Sequence, residues 1–468
     1  MLPITRCALI LVLSRVAPRE HSALVREVCM KKVNHSRGRK TAAVTGASLS
    51  LLVGLVASGA EAAPTPKPAV TKAVTNASCP ATPGVTPTTV NLAWVGPKTG
   101  PAAANYVGSS EAAQLRLDQE NAKGGVNGRK LTLKVYNDET NASTQISVVQ
   151  KAMLSDNIFG LTGQTSTTSM YPTLKENNIP VTGFSNPAFG TDRNAFGDSG
   201  ATLSAYPNYA STSVLEKLSK MGVTKIANIN HVSTGASASG NATSNLIKLV
   251  GSSLGLTEAV RIADEPQGTH DATSTALRVK AQGADGAIIV GYIDGGISIM
   301  QALKQQGVTL KGVSMVGLSD PAVLKTSGGS LEGVLGTNYG TVPVGVNNRA
   351  VKTFASGMRA AGLNPYVSAA PQGYLGADLL IKGLKLAGKC PTRETFITNL
   401  RNFTSYDGGG LLPEAISFKG PGLVPNGNPP SCTWYMVVKG TELVPDTKPT
   451  CGVKILDTNT GQVIYSKS

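Results

Sequence analysis

Short apolar runs alternate with helix-like segments along the chain from about residue 89 onward. The sequence predicts strands at 90–95, 131–137, 157–161 and 179–182, separated by helices near 109–121, 141–156 and 170–177. Parallel strands need a crossover connection, and a helix is the usual one. The repeat therefore predicts a doubly wound parallel α/β sheet, with 131–137, whose residues alternate in polarity, at an exposed edge.

The repeat pauses near residues 198–208 and then starts again. The second series has helices at 211–221, 242–250, 273–282 and 297–306 and strands at 225–229, 260–262, 286–292 and 313–316. Helices at 349–361 and 370–387 should return to the first sheet, a further helix is predicted at 392–402, and 433–438 with 441–444 reads as a closing hairpin. We expect two Rossmann-like lobes joined by a hinge, one built from 88–205 and 342–418 and the other from 206–341 and 419–468. A cleft between two such lobes is a preferred ligand site.

One loop stands out within the first series. Residues 162–169 are rich in hydroxyl groups and precede the predicted helix at 170–177. The N-terminus of a helix carries unpaired N–H groups and partial positive charge. The loop is therefore a candidate anion site, for example for a carboxylate, and an ordinary helix cap is the alternative.

The N-terminal region predicts export. Residues 30–62 contain a basic start, an apolar stretch at 41–57 and a cleavage motif that ends at Ala62, and a retained membrane anchor is the alternative. No cysteine follows the apolar stretch closely, so a lipid anchor is not predicted. Residues 63–87 read as a flexible tether. We hypothesise that translation starts at Met30 and that 1–29 is not part of the protein; a peptide from 1–29 recovered from cells would refute this.

The composition argues against a nucleic-acid partner. The formal charge is +15, but nine of the 43 Lys and Arg residues lie in residues 1–62, and the others are scattered singly. Aromatic residues make up only 5% of the chain, so no base-stacking surface is predicted.

The residues also argue against an enzyme. Beyond residue 62 the chain keeps only His231 and His270, and no His/Cys spacing suits a zinc site. Residues 383–390 imitate a phosphate-binding loop but end in Cys390 where Ser or Thr is needed, at the end of a helix. No catalytic residue, metal or cofactor is predicted.

Four cysteines remain beyond residue 62, which favours two disulfides among three connectivities in an exported protein. Bridges within one lobe leave a hinge free, so we prefer Cys432–Cys451 with Cys79–Cys390. Free thiols are the alternative.

Several motifs in order resemble a known family. They are the loop at 95–101, the stretch Asn121-Ala-Lys-Gly-Gly-Val-Asn-Gly-Arg-Lys-Leu131, the strand end at 136–139, the hydroxyl loop before 178–180, and Gly291-Tyr292. Together they resemble the type I periplasmic solute-binding proteins, and more narrowly the leucine/isoleucine/valine-binding proteins of ABC importers, over residues 85–439.

The resemblance implies a set of ligand contacts. First-lobe loops would hold the ligand's carboxylate and amino group, and Tyr106 would cover its side chain. In the second lobe Tyr292 would close onto the ligand, and Asp320, about one position from its expected place, would pair with the ammonium group. The first-lobe loop residues are Gln164, Thr165 and Ser166, together with Ser185 and Asn186.

Each of these roles has a simpler alternative. Tyr292 is a core or surface residue in the alternative reading, and Asp320, just before Pro321, is a helix cap. If Asp320 points away from the cleft, an amide, urea or another polar solute replaces the amino acid. Asp138 and Glu139 at a strand end are expected to be structural or solvent-facing.

The resemblance implies an exported substrate-binding protein of the periplasm or cell envelope. It would bind a branched-chain or other amino acid, deliver it to an ABC transporter permease, and be a monomer. One alternative is a ligand sensor or regulator with the same fold. Another is an envelope protein that has lost ligand binding, with a cleft filled by its own side chains.

Overall fold

The computed structural model describes residues 79–100, 102–165, 167–183, 187–197, 209–338, 340–419 and 431–466. The predicted extension, signal peptide and first part of the tether lie outside these residues. Within the described ranges, none of the helices is long and apolar enough to cross a lipid bilayer.

The strands are β1 (Thr89–Gly96), β2 (Lys130–Asn137), β3 (Gly160–Gly163), β4 (Val181–Gly183), β5 (Ala195–Gly197), β6 (Tyr209–Ser211), β7 (Lys225–His231), β8 (Thr257–Glu265), β9 (Gly286–Val290), β10 (Gly312–Val316), β11 (Leu335–Thr337), β12 (Cys432–Thr433), β13 (Tyr435–Lys439), β14 (Glu442–Pro445), β15 (Thr450–Cys451), β16 (Lys454–Asp457) and β17 (Val463–Ser466).

The helices are α1 (Ser109–Asn121), α2 (Ala142–Leu154), α3 (Tyr171–Glu176), α4 (Pro187–Thr191), α5 (Ser213–Lys220), α6 (Thr234–Val250), α7 (Thr273–Ala281), α8 (Ile293–Gln305), α9 (Arg349–Ala360), α10 (Ala369–Ala387) and α11 (Arg393–Arg401).

The first sheet has the order β2-β1-β3-β4-β5, and all its strands are parallel. The interior strand β1, between β2 and β3, is apolar on both faces. Leu92 and Trp94 pack in the core formed with α1 and α10, whereas Ala93 and Val95 pack in the core that includes residues of α2 and α3. Side chains of a strand alternate between faces, so a strand covered on both sides reads as a continuous apolar run. The predicted doubly wound sheet is confirmed, with β2 at its edge.

Helix α10 returns to this first sheet, as predicted, and packs closely on β3 and β4. The close approach requires Gly376, where a Cβ atom would lie 2.2 Å from Thr162 Oγ1. The Thr182 hydroxyl donates a hydrogen bond to the Gly376 carbonyl at 2.7 Å. Gln372, one turn earlier on α10, therefore faces the same end of the sheet as the loops that follow β3 and β4.

The second sheet has the order β14-β13-β11-β10-β9-β7-β8. Strands β7 to β11 are parallel, and the predicted closing hairpin, β13 with β14, joins beside β11 in antiparallel orientation. The sequence predicts β8 only at 260–262, whereas it spans nine residues. Because β8 lies at the sheet edge, charged residues such as Glu258, Arg261 and Asp264 interrupt its apolar pattern.

Two smaller pairings complete the structure. β6, β16 and β17 form an antiparallel sheet, and β12 pairs with β15. The preferred disulfides are both present, Cys432–Cys451 across β12 and β15 and Cys79–Cys390 near the end of α10. The sequence boundaries proposed for the two lobes stay predictions.

Candidate functional site

The predicted site residues lie at the carboxyl ends of parallel strands from both sheets. The 3-10 helix Ala103–Tyr106 follows β1, and Gln164 and Thr165 follow β3. In the second sheet, Tyr292 follows β9 and Asp320 follows β10. In an open α/β sheet, this edge is where ligands bind.

Tyr106 and Tyr292 meet at this edge. Each exposes only 9% of its surface, and together with Ala102 they form one buried apolar cluster. Ala102 and Tyr106 come from the loop after β1, and Tyr292 comes from the loop after β9. The structure thus joins the loops of the two sheets through the two tyrosines that the sequence singled out.

His231 extends this aromatic contact. It is the last residue of β7, and its ring stacks on Tyr292 with the centroids 4.5 Å apart and the planes 28° apart. Burial lowers the pKa of His231 to about 4. From sequence, His231 was weighed only as a possible zinc ligand. The overlooked signal was its position at the end of a strand, as Tyr292 follows the end of another strand.

Asp138 supports the hydroxyl-rich loop at 162–169 through hydrogen bonds. It is fully buried just after β2, accepts a hydrogen bond from the Thr165 hydroxyl, and accepts another from Gln145 Nε2 at 2.9 Å. The Thr167 hydroxyl donates to the same carboxylate at 3.4 Å. The expected structural role of Asp138 is therefore confirmed. The Thr165 side chain is oriented toward Asp138, and its direct ligand contact stays a prediction.

Protein groups bind the first N–H groups at the start of the helix that follows this loop. Helix α3 has six residues and begins at Tyr171, six positions after Thr165. The Met170 N–H donates to Gln145 Oε1 at 2.9 Å, and the Tyr171 N–H donates to the Thr168 carbonyl at 3.3 Å. Protein groups therefore bind these two N–H groups, and the anion site expected at this loop stays a prediction.

Gln164 is held by a residue from a distant part of the chain. Its Nε2 donates to Gln372 Oε1 at 3.0 Å, and both side chains are buried. Within the part of the chain that the structure describes, Gln164 Oε1 has no hydrogen-bond partner. Gln372 was missed from sequence, although a glutamine in the apolar helix α10 was a visible signal.

Asp320 has two protein partners. One carboxylate oxygen accepts from the Ala322 N–H at 2.9 Å and so caps the 3-10 helix Pro321–Lys325. The other accepts from Asn364 Nδ2 at 2.8 Å. The capping alternative is therefore realised, and the pairing of Asp320 with a ligand ammonium group stays a prediction.

The Asp320–Asn364 bond joins the two sheets, and a second bond lies beside it. Ser319, next to Asp320, donates from its hydroxyl to the Tyr366 carbonyl at 2.9 Å. Asn364 and Tyr366 lie between α9 and α10, on the side of the first sheet. We call this pair of contacts the latch. Asn364 of the latch and Tyr106 of the aromatic cluster both line a cavity of about 200 Å³.

The remaining buried acid near this edge is also paired. Glu265, at the end of β8, is bound by His270 Nε2 at 2.7 Å and by the Thr275 hydroxyl. Across the described residues, no group of three or more His, Cys, Asp or Glu side chains is placed to hold a metal ion. Ser166, Ser185 and Asn186, which the sequence also predicts in the site, lie outside the described residues.

Comparison with known proteins identifies the family. A sequence model described as "Periplasmic binding protein" matches residues 89–442, more than half of the chain. No curated protein sequence matches it.

Several solved structures share the fold at low sequence identity. A branched chain amino acid ABC transporter from Thermus thermophilus with bound valine has a TM-score of 0.64 and 18% identity, and the match covers 77% of this chain and 96% of that one. A fatty acid ABC transporter substrate-binding protein from Thermomonospora curvata has a TM-score of 0.66 and 18% identity, with coverages of 82% and 97%. An ABC transporter solute binding protein from R. palustris in complex with benzoate has a TM-score of 0.60 and 15% identity, with coverages of 78% and 97%. With its two sheets, the edge where their loops meet and the family match, this chain belongs to the periplasmic binding protein family.

Proposed function

We propose that this protein is the exported substrate-binding component of an ABC importer and that it binds a small carboxylate-bearing solute between the lobes. The observation that carries the proposal is the contact of Tyr106 and Tyr292 at the carboxyl ends of strands from two sheets. A ligand held from both sides stabilises the closed arrangement of the lobes, because only that arrangement contacts it twice. The closed form would then be recognised by a membrane permease.

The proposal includes the parts of the chain before the fold. Residues 30–62 would direct export and be removed after Ala62, and 63–87 would link the new N-terminus to the lobes. The two lobes would follow the boundaries proposed from sequence, 88–205 with 342–418 and 206–341 with 419–468. The mature protein would act as a monomer.

The carboxylate is the chemical group that the named ligands of related structures share. Valine, fatty acids and benzoate all carry one. We assign it to the loops after β3 and β4, where Gln164, Thr165, Ser166, Ser185 and Asn186 lie, with backbone N–H groups as donors. The Thr165 hydroxyl supports the loop through Asp138.

The partners of Asp320 favour a second candidate ligand. A branched-chain amino acid, the first expectation, needs an anion for its ammonium group. Each Asp320 oxygen already accepts one hydrogen bond from the protein, which leaves Asp320 fewer lone pairs for an ammonium group. The buried acids Asp138 and Glu265 are also satisfied by the protein. This supports a carboxylic acid without an ammonium group. A sensor with the same fold, or an envelope protein without a ligand, remains the alternative function.

Thermal unfolding of the purified protein with a ligand panel tests the proposal. The panel contains valine, leucine, benzoate, octanoate, acetamide and urea. A true ligand at about 100 times its dissociation constant stabilises the folded state by about 2.7 kcal/mol. We expect at least one carboxylate to raise the unfolding temperature by a few degrees, and Tyr292→Ala to abolish the shift. No shift with any compound, from protein shown to be folded and ligand-free, would favour the envelope alternative.

The Asp320→Ala variant separates the two ligand classes. If Asp320 pairs with an ammonium group, the variant loses valine and leucine but keeps acids that lack this group. If Asp320 acts only in the latch, the variant weakens all ligands to a similar extent. Asp264→Ala is the matched control, because Asp264 is an exposed carboxylate paired with Arg278 on the surface.

A further inference from the structure

His231 lies next to the place where the loops of the two sheets meet. It ends β7, the neighbour of β9, and its ring stacks on Tyr292 at 4.5 Å. Tyr292 in turn belongs to the buried cluster with Tyr106. A ligand that contacts Tyr292 in the cleft is therefore separated from His231 by no more than the Tyr292 ring.

The His231 ring has an unused polar atom. The residue exposes only 8% of its surface, and the described parts of the chain offer no hydrogen-bond partner to Nδ1. Buried polar atoms in folded proteins almost always have a partner. A ligand bound at this edge could supply the hydrogen-bond partner that His231 Nδ1 lacks.

Gly291 gives this nitrogen room. A Cβ atom at position 291 would lie 3.1 Å from His231 Nδ1, closer than most such contacts. Any residue other than glycine would therefore crowd the ring against Tyr292. The glycine leaves space beside Nδ1 for a small group.

The ring is uncharged near neutral pH, because burial lowers the pKa of His231 to about 4. A neutral imidazole carries one N–H donor and one acceptor nitrogen. A hydroxyl group can serve either nitrogen, since it both donates and accepts. The ligand carboxylate is already assigned to the first-lobe loops, so a hydroxyl at the other end of the ligand is the matching group.

We propose that His231 is a specificity-determining residue of the cleft and binds an uncharged hydroxyl group on the ligand. This inference rests on the proposed function and specifies its ligand class: a small organic acid with a hydroxyl group at the end remote from the carboxylate. A planar body fits best, because flat groups pack favourably on aromatic rings such as Tyr292.

Calorimetric titration with 4-hydroxybenzoate and benzoate tests the inference, since these probes differ by one hydroxyl group. We expect the wild-type protein to bind 4-hydroxybenzoate more tightly than benzoate. His231→Phe keeps a flat ring against Tyr292 but has no nitrogen. It should lower the affinity for 4-hydroxybenzoate about tenfold and leave that for benzoate nearly unchanged. Val232→Ala, at the exposed neighbouring position, is the matched control and should match wild type.

A spectroscopic measurement separates ligand contact from packing. The ¹⁵N chemical shifts of the His231 ring should change when 4-hydroxybenzoate is added and stay unchanged with benzoate. If His231 only packs against Tyr292, 4-hydroxybenzoate and benzoate should change the ¹⁵N chemical shifts equally. That result would refute the inference.

The outcomes distinguish this inference from the proposed function. If the wild-type protein binds leucine or another acid of the panel, and His231→Phe alters neither affinity nor selectivity, the role of His231 is wrong while the function stands. If it binds such an acid but neither benzoate probe, the ligand class is wrong. Folded protein that binds no compound at all refutes the proposed function itself.

Discussion

Asp138 shows how one buried carboxylate organises a loop at the carboxyl ends of the strands in the first sheet. Its carboxylate accepts hydrogen bonds from the Thr165 hydroxyl, from Gln145 Nε2 and, at 3.0 Å, from the Thr140 N–H. Gln145 in turn accepts a hydrogen bond from the Met170 N–H through its Oε1 atom. One acid thus fixes both ends of the loop between β3 and α3.

Replacing Asp138 by alanine should therefore weaken both folding and binding. The change leaves the buried Gln145 amide and Thr165 hydroxyl without their acceptor, so we expect unfolding to become easier by about 3 kcal/mol. Urea unfolding measures this, and titration with the best ligand of the panel should show a parallel loss of affinity. Glu139→Gln is the control, because Glu139 is exposed and adjacent. Equal stabilities of the two variants would contradict the role of Asp138.

At the scale of elements, the latch joins a loop of each sheet. The loop after β10 supplies Ser319 and Asp320, and the loop between α9 and α10 supplies Asn364 and Tyr366. Contacts of this kind favour the arrangement in which the lobes are close, whatever the ligand. If the lobes close on a ligand, as we propose, the latch would lower the part of the binding energy that is used for closing.

The variant Asn364→Ala should lower the affinity for every ligand without unfolding the protein. Asn364 is exposed, so the lost bond to Asp320 should reduce affinity about two- to tenfold, and the unfolding midpoint should stay near that of wild type. Titration measures the ligand affinity, and urea unfolding measures the unfolding midpoint. Asn347→Ala is the control, since Asn347 is an exposed asparagine whose carbonyl binds only nearby Lys352. A loss confined to one ligand would mean that Asn364 contacts that ligand instead.

At the scale of the whole molecule, the Cys79–Cys390 disulfide joins the segment before β1 to the segment after α10. The cysteines are 311 residues apart in sequence. Near Cys390, Asn127 Nδ2 donates to the Gly388 carbonyl at 2.8 Å, and Arg129, just before β2, donates to Lys389 at 2.9 Å. The bridge therefore lies at the amino ends of the strands, opposite the ligand-binding edge.

Removing this bridge should cost stability but not affinity. The double variant Cys79→Ser/Cys390→Ser frees a long loop in the unfolded chain, and we expect it to lower the free energy of unfolding by about 3 kcal/mol. Denaturant unfolding measures the loss, and titration should return the wild-type affinity. A large drop in affinity would show that the far end of the lobe is coupled to the cleft.

Much of the architecture could be predicted because its signals are local. The apolar run of β1, the alternation of β2, the helices α9 and α10 and the hairpin β13–β14 are each written in consecutive residues. The short strands β5, β6 and β11 were not predicted, because they lie in no apolar run like the one at 179–182 that marked β4. The full length of β8 was missed for another reason, because charged residues interrupt the apolar pattern of this strand at the sheet edge.

By itself the sequence determined the two-lobe α/β fold, the preferred cysteine pairs, and two tyrosines that follow strand ends. The fold and the cysteine preference depend on residue spacing and count, whereas the two tyrosines were singled out by the resemblance to a known family. Only the tertiary structure decided which groups meet: Gln164 with Gln372, Asp320 with Asn364, and His231 with Tyr292. The partners are separated by 208 residues in the first pair and 44 in the second. Their contact depends on how helices and sheets pack, and no local pattern carries that information.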